Sequence, residues 1–402
     1  MDFEFTEEQR MFRDGLRDFM QREFAPIVDK RDRQGAFTRE EEIAINKKFM
    51  SIGIGIDPEN IKGFTDPMLF AISSEEIAKV WVSLLPIHGM GSIPAIFAPL
   101  ASDAVRARVV PRLKSGDFIG AFAETEPEAG CDTASIKTTA KPEGDHYIVN
   151  GTKTWISNAV TCDTAMVGVI DTGTGAHTFL LVEKEVSPWE TSPLHKLGWN
   201  ASDTGQMFFD NCKVPKENEM GAILQIGSAR GEMPPLSEGF MKLFITIAPT
   251  TALLTLPRAG MGLMSVGIAQ AAFEASVAYA RERIQFGKPI GKHQLIQNML
   301  YEMNLLTETA RLLGYKAIDA INHGDPDARR LSSMAKVYGG EAAIKVTDHA
   351  IQIHGANGLS QELPIERYYR DARMQVIPDG TSEMMKLIAG YTILGKGFSA
   401  YA

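Results

Sequence analysis

The chain has 402 residues, of which 44% are hydrophobic and 23% charged, so disorder is not expected and two or three compact units are. Its formal net charge of −9 comes without a basic run, which argues against nucleic acid or an anionic membrane as the main partner. Three cysteines cannot build a disulfide framework, the N-terminus carries no secretion signal, and the apolar stretch 243–256 is too short to cross a membrane, so we expect a cytoplasmic protein.

Residues 1–117 are predicted to form a helical domain. Thr6 is a candidate N-cap for a helix over residues 7–24, in which apolar residues recur at helical spacing. The segments 73–85 and 102–113 continue the same pattern. The beginning of the chain therefore predicts helices packed on one another.

Residues 118–238 are predicted to form a small antiparallel β unit, either a barrel or a sandwich. Asn150-Gly151 lies between alternating apolar residues, a pattern that predicts a hairpin turn. Further short strands, broken by Gly, Asp and Pro, are predicted over 164–170, 177–184 and 205–214.

Residues 239–402 are predicted to be helical again. Three long segments have apolar residues at three- and four-residue steps, which predicts a four-helix bundle. These segments are 267–284, 297–321 and 327–353. Asp325-Pro326 is expected to start the third as an N-cap followed by Pro at the first helical position, and Thr381 is expected to cap a last helix. Few common enzyme folds have this order of helices, β unit and bundle.

The signals for common cofactor and metal sites are weak. Gly260-Met261-Gly262 contains G-x-G, but it neither follows a clear strand nor completes G-x-G-x-x-G, so a Rossmann site is not expected. His349 and His354 are five residues apart, which is wrong for one helix face, and no Cys/His cluster supports them. No metal site is expected.

Four other stretches are chemically suited to a bound cofactor. The loop 122–132 can offer backbone N–H groups, 155–158 places an indole beside a hydroxyl, 283–287 ends a helix with a cation and an aromatic ring, and 354–358 ends another with glycines. Each also has an ordinary interpretation, as an acidic surface loop, a core Trp or a helix C-terminus. Their order and spacing together are not easily explained by chance.

In that order the chain resembles the acyl-CoA dehydrogenase family. The resemblance rests on six motifs: T-E-P-x-A-G-x-D (Thr125 to Asp132), N-G-x-K-x-W-I-S-N (Asn150 to Asn158), V-P-K-E-N (Val214 to Asn218), R-x-Q-F-G-K-P-I (Arg283 to Ile290), Q-I-H-G-x-x-G (Gln352 to Gly358) and Y-R-D-A-R (Tyr369 to Arg373). It implies a mostly α fold with an N-terminal helical domain, a middle β-barrel domain and a C-terminal four-helix bundle. It also implies FAD as cofactor, a homotetramer, and an electron-transfer flavoprotein as electron acceptor.

The resemblance further implies which residues bind the cofactor and the substrate. Those expected around the flavin are Phe122, Glu124, Thr125, Gly130, Cys131, Trp155, Ile156 and Ser157, completed by Thr381 and Glu383. Those expected around the pyrophosphate and adenine, partly across a subunit interface, are Arg283, Phe286, His293, Gln294, Gln352, Gly355 and Ala356. Cys131 and Arg258 are expected to contact the substrate.

In this family a carboxylate removes the α-proton of an acyl-CoA thioester while a hydride passes from Cβ to the flavin. The base is commonly a Glu in an E-G-T-S segment, where this chain has Asp379 followed by Gly-Thr-Ser. Asp379 is therefore the candidate catalytic base, with a carboxylate that is set back by about 1.5 Å, roughly one C–C bond. The alternative is that Asp379 is only a turn residue before a helix N-cap.

Other departures from the family cluster where the substrate should bind. Cys131 replaces the usual Ser, the segment 56–68 replaces expected glycines, and the chain between Val214 and Arg258 is longer than is typical. Together with the shortened base, these changes predict a bulky acyl group. The resemblance implies a cyclic one such as cyclohexane- or cyclohexene-carboxyl-CoA, because branches of the family act on ring-bearing thioesters in aromatic or alicyclic compound degradation.

Two alternative functions remain open. A nitroalkane-oxidase-like flavoenzyme also uses an Asp base, but pairs it with an arginine two helical turns on, where this chain has Lys386. A non-catalytic, FAD-stabilised binding protein is the other alternative, and the preserved carboxylate and flavin motifs count against it.

Overall fold

The computed structural model describes residues 4–55, 66–89, 91–234, 236–246, 249–395 and 397–398. Most of the substrate-side segment 56–68 lies outside the described residues, as do positions 247 and 248 of the apolar stretch 243–256. The described residues are arranged as an N-terminal helical part, a β-sheet and a C-terminal helical part.

The N-terminal part contains the predicted helices and several more. They are α1 (Glu7–Glu23), α2 (Val28–Asp32), α3 (Arg39–Met50), α4 (Pro67–Trp81), α5 (Leu85–His88), α6 (Ser92–Phe97) and α7 (Asp103–Ser115). The predicted cap at Thr6 is confirmed, because its side chain accepts from Gln9 N, and Gln9 Oε1 accepts in turn from Thr6 N. Helix α4 begins earlier than predicted, because Asp66 caps it and Pro67 occupies its first position.

The middle part is one seven-stranded sheet. Its strands are β1 (Gly120–Ala123), β2 (Thr139–Glu143), β3 (His146–Ser157), β4 (Thr164–Asp171), β5 (His177–Glu183), β6 (Glu190–Pro193) and β7 (Thr204–Pro215). The order is β1-β4-β2-β3-β7-β6, with β5 on β4. The antiparallel prediction is wrong for two pairs, because β4 lies parallel to β1 and to β2. Neither pair is joined by a hairpin, so nothing local imposes antiparallel pairing on them.

The predicted hairpin at Asn150-Gly151 is wrong. Those residues lie inside β3, where the register with β7 shifts and Gly151 has φ 152°. A Cβ on Gly151 would lie 2.4 Å from Thr138 Oγ1, so this bulge requires glycine. The hairpin between β2 and β3 turns instead at Gly144-Asp145, where Gly144 has φ 58°. Glycine tolerates positive φ both in a bulge and in a turn, so the sequence pattern alone does not distinguish the two.

The C-terminal part is dominated by three long helices. Its elements are α8 (Met220–Ala229), α9 (Glu238–Thr246), α10 (Pro249–Glu282), the small hairpin β8 (Ile284–Gln285) and β9 (Lys288–Pro289), α11 (Gln294–Asn322), α12 (Ala328–His354), α13 (Ile365–Met374) and α14 (Ser382–Leu394). The expected start of α12 at Asp325-Pro326 is wrong: these residues form a turn, in which Asp325 Oδ1 accepts from Asp327 N at 2.8 Å, and the helix begins at Ala328. Thr381 caps α14 as predicted.

Helix α10 is the central helix of this part. Over Thr251–Glu282 it is long and apolar enough to cross a membrane by length and composition alone, although the apolar stretch read from the sequence was shorter. In the fold, 83% of its most apolar window is buried. It packs against α4, α11 and α12, so its apolarity is that of a core helix.

Helix α13 ties the β-sheet to the turn that follows the helix. Asp371 Oδ1 accepts from Trp199 N at 2.7 Å, and Arg370 Nη1 donates to the Leu197 carbonyl at 3.2 Å. Asp371 is buried, and burial raises the pKa of its carboxyl to about 7. Part of the Y-R-D-A-R motif thus has a structural role, which is to fix the end of α13 and the loop after it relative to the sheet.

Candidate active site

Asp379 lies in the short turn between α13 and α14. Its backbone is left-handed, with φ 57°, and Gly380 follows at φ 96°. The turn closes through Ser382 N, which donates to the Val376 carbonyl at 3.0 Å, and α14 then starts at the Thr381 cap. Asp379 is thus a turn residue before a helix N-cap, as the alternative interpretation says. That interpretation does not explain why its carboxylate is half-buried.

The Asp379 carboxylate makes no hydrogen bond or ion pair with any residue that the structure describes. Burial raises the pKa of this carboxyl, and the nearby charges of Arg258 and Lys336 oppose that rise. Both cations hydrogen-bond the backbone beside it: Arg258 Nε donates to the Asp379 carbonyl at 3.0 Å and Lys336 Nζ to the Gly380 carbonyl at 2.6 Å. The site therefore holds a carboxylate with free acceptor capacity, which a proton-abstracting base requires.

Lys336 had not been identified as a site residue from the sequence. It lies on α12, its side chain is buried, and burial lowers its pKa to about 8. The charges of Asp379, Glu383 and Cys131 oppose this fall in pKa, so the cofactor loop and the start of α14 both lie near the amine. The sequence shows only a lysine among apolar residues of a helix. This pattern does not distinguish a buried lysine of the site from a lysine whose amine reaches solvent.

The loop after β1 is held by a buried ion pair. Glu126 accepts from Lys153 Nζ at 2.8 Å, from Lys137 N at 2.6 Å and from Thr138 N at 2.9 Å. The Thr125 carbonyl accepts from Thr154 N at 2.8 Å, which fixes the loop against β3. Glu126 and Lys153 lie within two of the quoted motifs, but the sequence did not indicate that they pair.

The remaining members of this loop differ in accessibility. Gly130 and Cys131 are exposed, and a Cβ on Gly130 would meet nothing within 4 Å. Glu124 Oε1 lies 3.2 Å from His177 Nε2, and its carbonyl accepts from Lys153 Nζ. Its predicted cofactor contact stays a prediction, as do those of Phe122 and Thr125.

Trp155 is unlike the other three tryptophans. Trp81, Trp189 and Trp199 are buried, whereas Trp155 is 56% exposed with φ 59°. It lies within the register shift between β3 and β7, between Lys153 and Ile156, and is turned outward while Ile156 stays buried. An exposed indole in a strained backbone costs free energy unless something covers it, so Trp155 fits a site for a flat aromatic group.

The second predicted group gathers at the other end of α10. Arg283, Phe286 and the β8–β9 hairpin follow α10, His293 and Gln294 begin α11, and Gln352, Gly355 and Ala356 end α12 and the turn after it. Tyr279 joins them, because its ring stacks on His354 at 4.3 Å and its hydroxyl accepts from Asn357 Nδ2 at 3.1 Å.

This second group is open and unsatisfied. Phe286 is 93% exposed with φ 53°, and the buried His293 Nε2 has no hydrogen-bond partner among the described residues. The orphaned nitrogen and the uncovered ring fit contact with a polar, partly aromatic ligand. The predicted contacts of these residues with the pyrophosphate and adenine stay predictions.

One protomer does not bring the two groups together. From Arg258 to the end of α10 is about 36 Å, and from Lys336 to Gln352 on α12 about 24 Å, at 1.5 Å per residue. Among the described residues, no group of three or more His, Cys, Asp or Glu side chains is placed to hold a metal ion.

Comparison with known proteins gives the family. Models of the acyl-CoA dehydrogenase N-terminal, middle and C-terminal domains match residues 6–117, 121–212 and 247–394. A glutaryl-CoA dehydrogenase of Desulfococcus multivorans is 34% identical over 98% of both chains. A 3-(aryl)acrylate reductase of Clostridium sporogenes is 33% identical over 97% of this chain and 99% of the relative.

A solved structure of glutaryl-CoA dehydrogenase in complex with glutaryl-CoA superposes with a TM-score of 0.84 at 33% identity, covering 98% of this chain and 97% of that one. The similarity in sequence runs nearly from end to end, and it is matched by the same three-part fold. The exposed Trp155, the open loop at Gly130 and the unsatisfied His293 are consistent with the cofactor of such enzymes. The chain is an FAD-dependent oxidoreductase that belongs to the acyl-CoA dehydrogenase family.

Proposed function

We propose that this protein dehydrogenates an acyl-CoA thioester between Cα and Cβ with Asp379 as the base. The observation that carries the proposal is the Asp379 carboxylate, which is half-buried, flanked by two cations, and free of any hydrogen bond or ion pair among the described residues. When bound, FAD supplies the hydride acceptor. Asp379 takes the α-proton, and Arg258 and Lys336 favour the ionised form that can accept it.

The residues around the flavin are proposed to act by position. Glu126 and Lys153 hold the loop that carries Thr125, Gly130 and Cys131, and Trp155 offers an uncovered indole for a flat ring. Cys131 is exposed and lies near enough to Lys336 to raise the pKa of that amine slightly, which supports its proposed place beside the substrate. None of these side chains has to move a proton in the reaction.

The proposed acyl group is bulky or cyclic. The shortened base supports this, because a carboxylate set back by about 1.5 Å leaves more room at the reacting carbons. The extra chain length between Val214 and Arg258 folds into α8, α9 and the start of α10, and the buried Phe240 of α9 packs into the core beside α11. The similarity to a 3-(aryl)acrylate reductase is in keeping with a ring-bearing substrate, whereas that to glutaryl-CoA dehydrogenase favours a linear dicarboxylic one.

The test is an anaerobic substrate panel on the purified, FAD-loaded protein. Cyclohexanecarboxyl-CoA, cyclohexene-carboxyl-CoA, an aryl-propionyl-CoA, glutaryl-CoA and butyryl-CoA are each mixed with the enzyme, and flavin absorbance is followed. We expect the fastest bleaching with a ring-bearing thioester. Fastest bleaching by glutaryl-CoA or butyryl-CoA would overturn the substrate proposal. Bleaching by neutral nitroalkanes and by no thioester would overturn the dehydrogenase proposal.

We also propose that the two cofactor groups belong to sites shared between subunits of a homotetramer. The two groups lie too far apart along α10 to meet within one protomer, and the second is exposed. Helix α11 supports an interface of this kind, because Leu295, Tyr301, Leu305 and Leu312 are exposed at steps of six, four and seven residues. A cytoplasmic location and an electron-transfer flavoprotein as acceptor complete the proposal.

A further inference from the structure

The turn that carries Asp379 is a strained segment held from outside. Asp379 and Gly380 are both left-handed in succession, at φ 57° and 96°. For a residue with a Cβ this conformation costs on the order of 1 kcal/mol, and it persists only where the surroundings determine it. The local closing bond is Ser382 N to the Val376 carbonyl, which brackets the turn without fixing the carbonyls inside it.

Those inner carbonyls are held by two cations from two helices. Arg258 of α10 donates to the Asp379 carbonyl at 3.0 Å, and the buried Lys336 of α12 donates to the Gly380 carbonyl at 2.6 Å. Both bonds have a charged donor, the kind roughly twice as strong as a neutral one. Two consecutive peptide groups are therefore each fixed by a separate element of the helical core.

The packing of α10 on α12 sets the spacing of these cations. A Cβ on Gly262, one turn after Arg258, would lie 2.7 Å from the Ala335 carbonyl, and one on Gly339 would lie 2.7 Å from the Gly262 carbonyl. The two helices can approach this closely only because both positions are glycine. The close contact lies next to Lys336 in sequence, so the distance between the two donors is built into the core.

Both cations reach the backbone beside Asp379 and leave its carboxylate free. Neither makes an ion pair with any described carboxylate, and the Asp379 side chain accepts no hydrogen bond from either. A direct salt bridge would occupy the carboxylate oxygens and make the group a weaker base. The arrangement supplies positive charge and position while keeping the base able to accept a proton.

We propose that Arg258 and Lys336 are positioning residues that clamp the Asp379 turn and thereby aim a base that is one methylene shorter than glutamate. This inference rests on the proposed function and deepens it, because it assigns the aim of the base to two named donors. Other titratable or charged groups near the clamp are Glu383 at the start of α14, the Cys131 thiol in the loop after β1, and Arg329 on α12, whose charge acts on Arg258.

The test uses the full-length, FAD-loaded protein with the variants Lys336→Met and Lys336→Arg. The matched control is Lys345→Met, an exposed lysine of the same helix. One measurement is hydrogen–deuterium exchange of the peptide 376–385, which reports on the turn without any turnover. The other is the pH profile of the anaerobic bleaching rate with the best thioester of the panel.

In Lys336→Met we expect exchange in the peptide to rise by about tenfold, as the turn opens more often. We expect bleaching to slow by about 10- to 100-fold, as for a misaimed catalytic group. The acid limb of its pH profile should move to higher pH, because a charge that lowers the pKa of Asp379 is lost. Lys336→Arg should restore most of both, and Lys345→Met should match the wild type. Unchanged exchange with an unmoved acid limb in Lys336→Met would overturn the proposal.

Arg258→Lys keeps the charge and removes the Nε donor, and it decides the matter if Lys336→Met does not fold. A clamp predicts a lower maximal rate, a nearly unchanged KM and faster exchange in the peptide. A raised KM with wild-type exchange would show that Arg258 only binds substrate, and would overturn its positioning role. If no thioester bleaches even the wild type, the proposed function fails, while the exchange measurement still decides whether the clamp exists.

Discussion

The two ends of α10 differ in how far their candidate site residues are covered by one protomer. Near Arg258 the chain supplies donors, acceptors and charges for its own Asp379 turn. Beyond Glu282 it presents an aromatic ring that is 93% exposed and a buried imidazole nitrogen without a partner among the described residues. At the first end the candidate base is held by residues of the same protomer. At the second end most candidate cofactor residues have no covering partner within the described part of the protomer. If the proposed tetramer forms, we expect the chemistry to depend on one protomer and cofactor retention on two.

The largest expected effect separates chemistry from cofactor binding at the first end. Asp379→Asn keeps the size of the side chain and removes its basicity, so we expect anaerobic bleaching to slow by about 100- to 10,000-fold. FAD should stay bound, as measured by the ratio of visible to protein absorbance. Asp325→Asn is the control, because Asp325 is also a turn aspartate ahead of a helix. An Asp379→Asn protein that bleaches as fast as the wild type would remove Asp379 from the mechanism.

The second prediction concerns the open end. Phe286→Ala removes an exposed ring and no core contact, so the unfolding temperature of the cofactor-free protein should not change. If the ring contacts FAD across an interface, the Kd for FAD should rise by about 10- to 100-fold, as for an interface residue of average to high importance. FAD titration measures this. Val186→Ala, at another exposed apolar position, is the control and should bind FAD normally.

Equal FAD affinity in Phe286→Ala and the wild type would contradict the proposed difference between the two ends, because the Phe286 ring would then have no part in binding the cofactor. Loss of FAD together with dissociation into smaller species, measured by sedimentation, would sharpen it. In that case the ring would contribute to both the cofactor and the interface. The residual FAD-loaded fraction should still bleach at the wild-type rate, since Phe286 follows the end of α10 opposite to Arg258, the residue that donates to the Asp379 carbonyl.

The two ends also differ in how well the sequence predicted them. Both proposed groups of cofactor residues and the Asp379 turn were located from short motifs that the family resemblance identifies, because a turn or loop depends on adjacent residues. The cofactor contacts themselves stay predictions. The partners that complete the turn do not: Lys336 is 43 positions before Asp379, and no local pattern links a buried lysine to a distant carbonyl. The helix order was predictable from periodicity, whereas the two parallel strand pairs were not, since they join strands without a hairpin.

The Asn150-Gly151 bulge shows a second limit. Asn-Gly predicts a site of positive φ, and the structure does place Gly151 there, but inside a strand. The bulge brings Gly151 against Thr138, the residue just before β2, where a Cβ would not fit. The conformational requirement is therefore local, and its use is set by a tertiary contact.

The smallest expected effect compares the helix starts at the two ends. Thr381 caps α14 by accepting from Met384 N, whereas His293 precedes α11 and makes no side-chain cap. Thr381→Ala should therefore lower the free energy of unfolding by about 0.5–1 kcal/mol, measured by urea denaturation of the cofactor-free protein. His293→Ala should leave that free energy nearly unchanged and weaken FAD binding instead, because its orphaned nitrogen has no structural partner to lose. If His293→Ala cost stability without FAD and left its binding intact, the imidazole would be part of the fold, and the open end would lose its clearest sign of an absent partner.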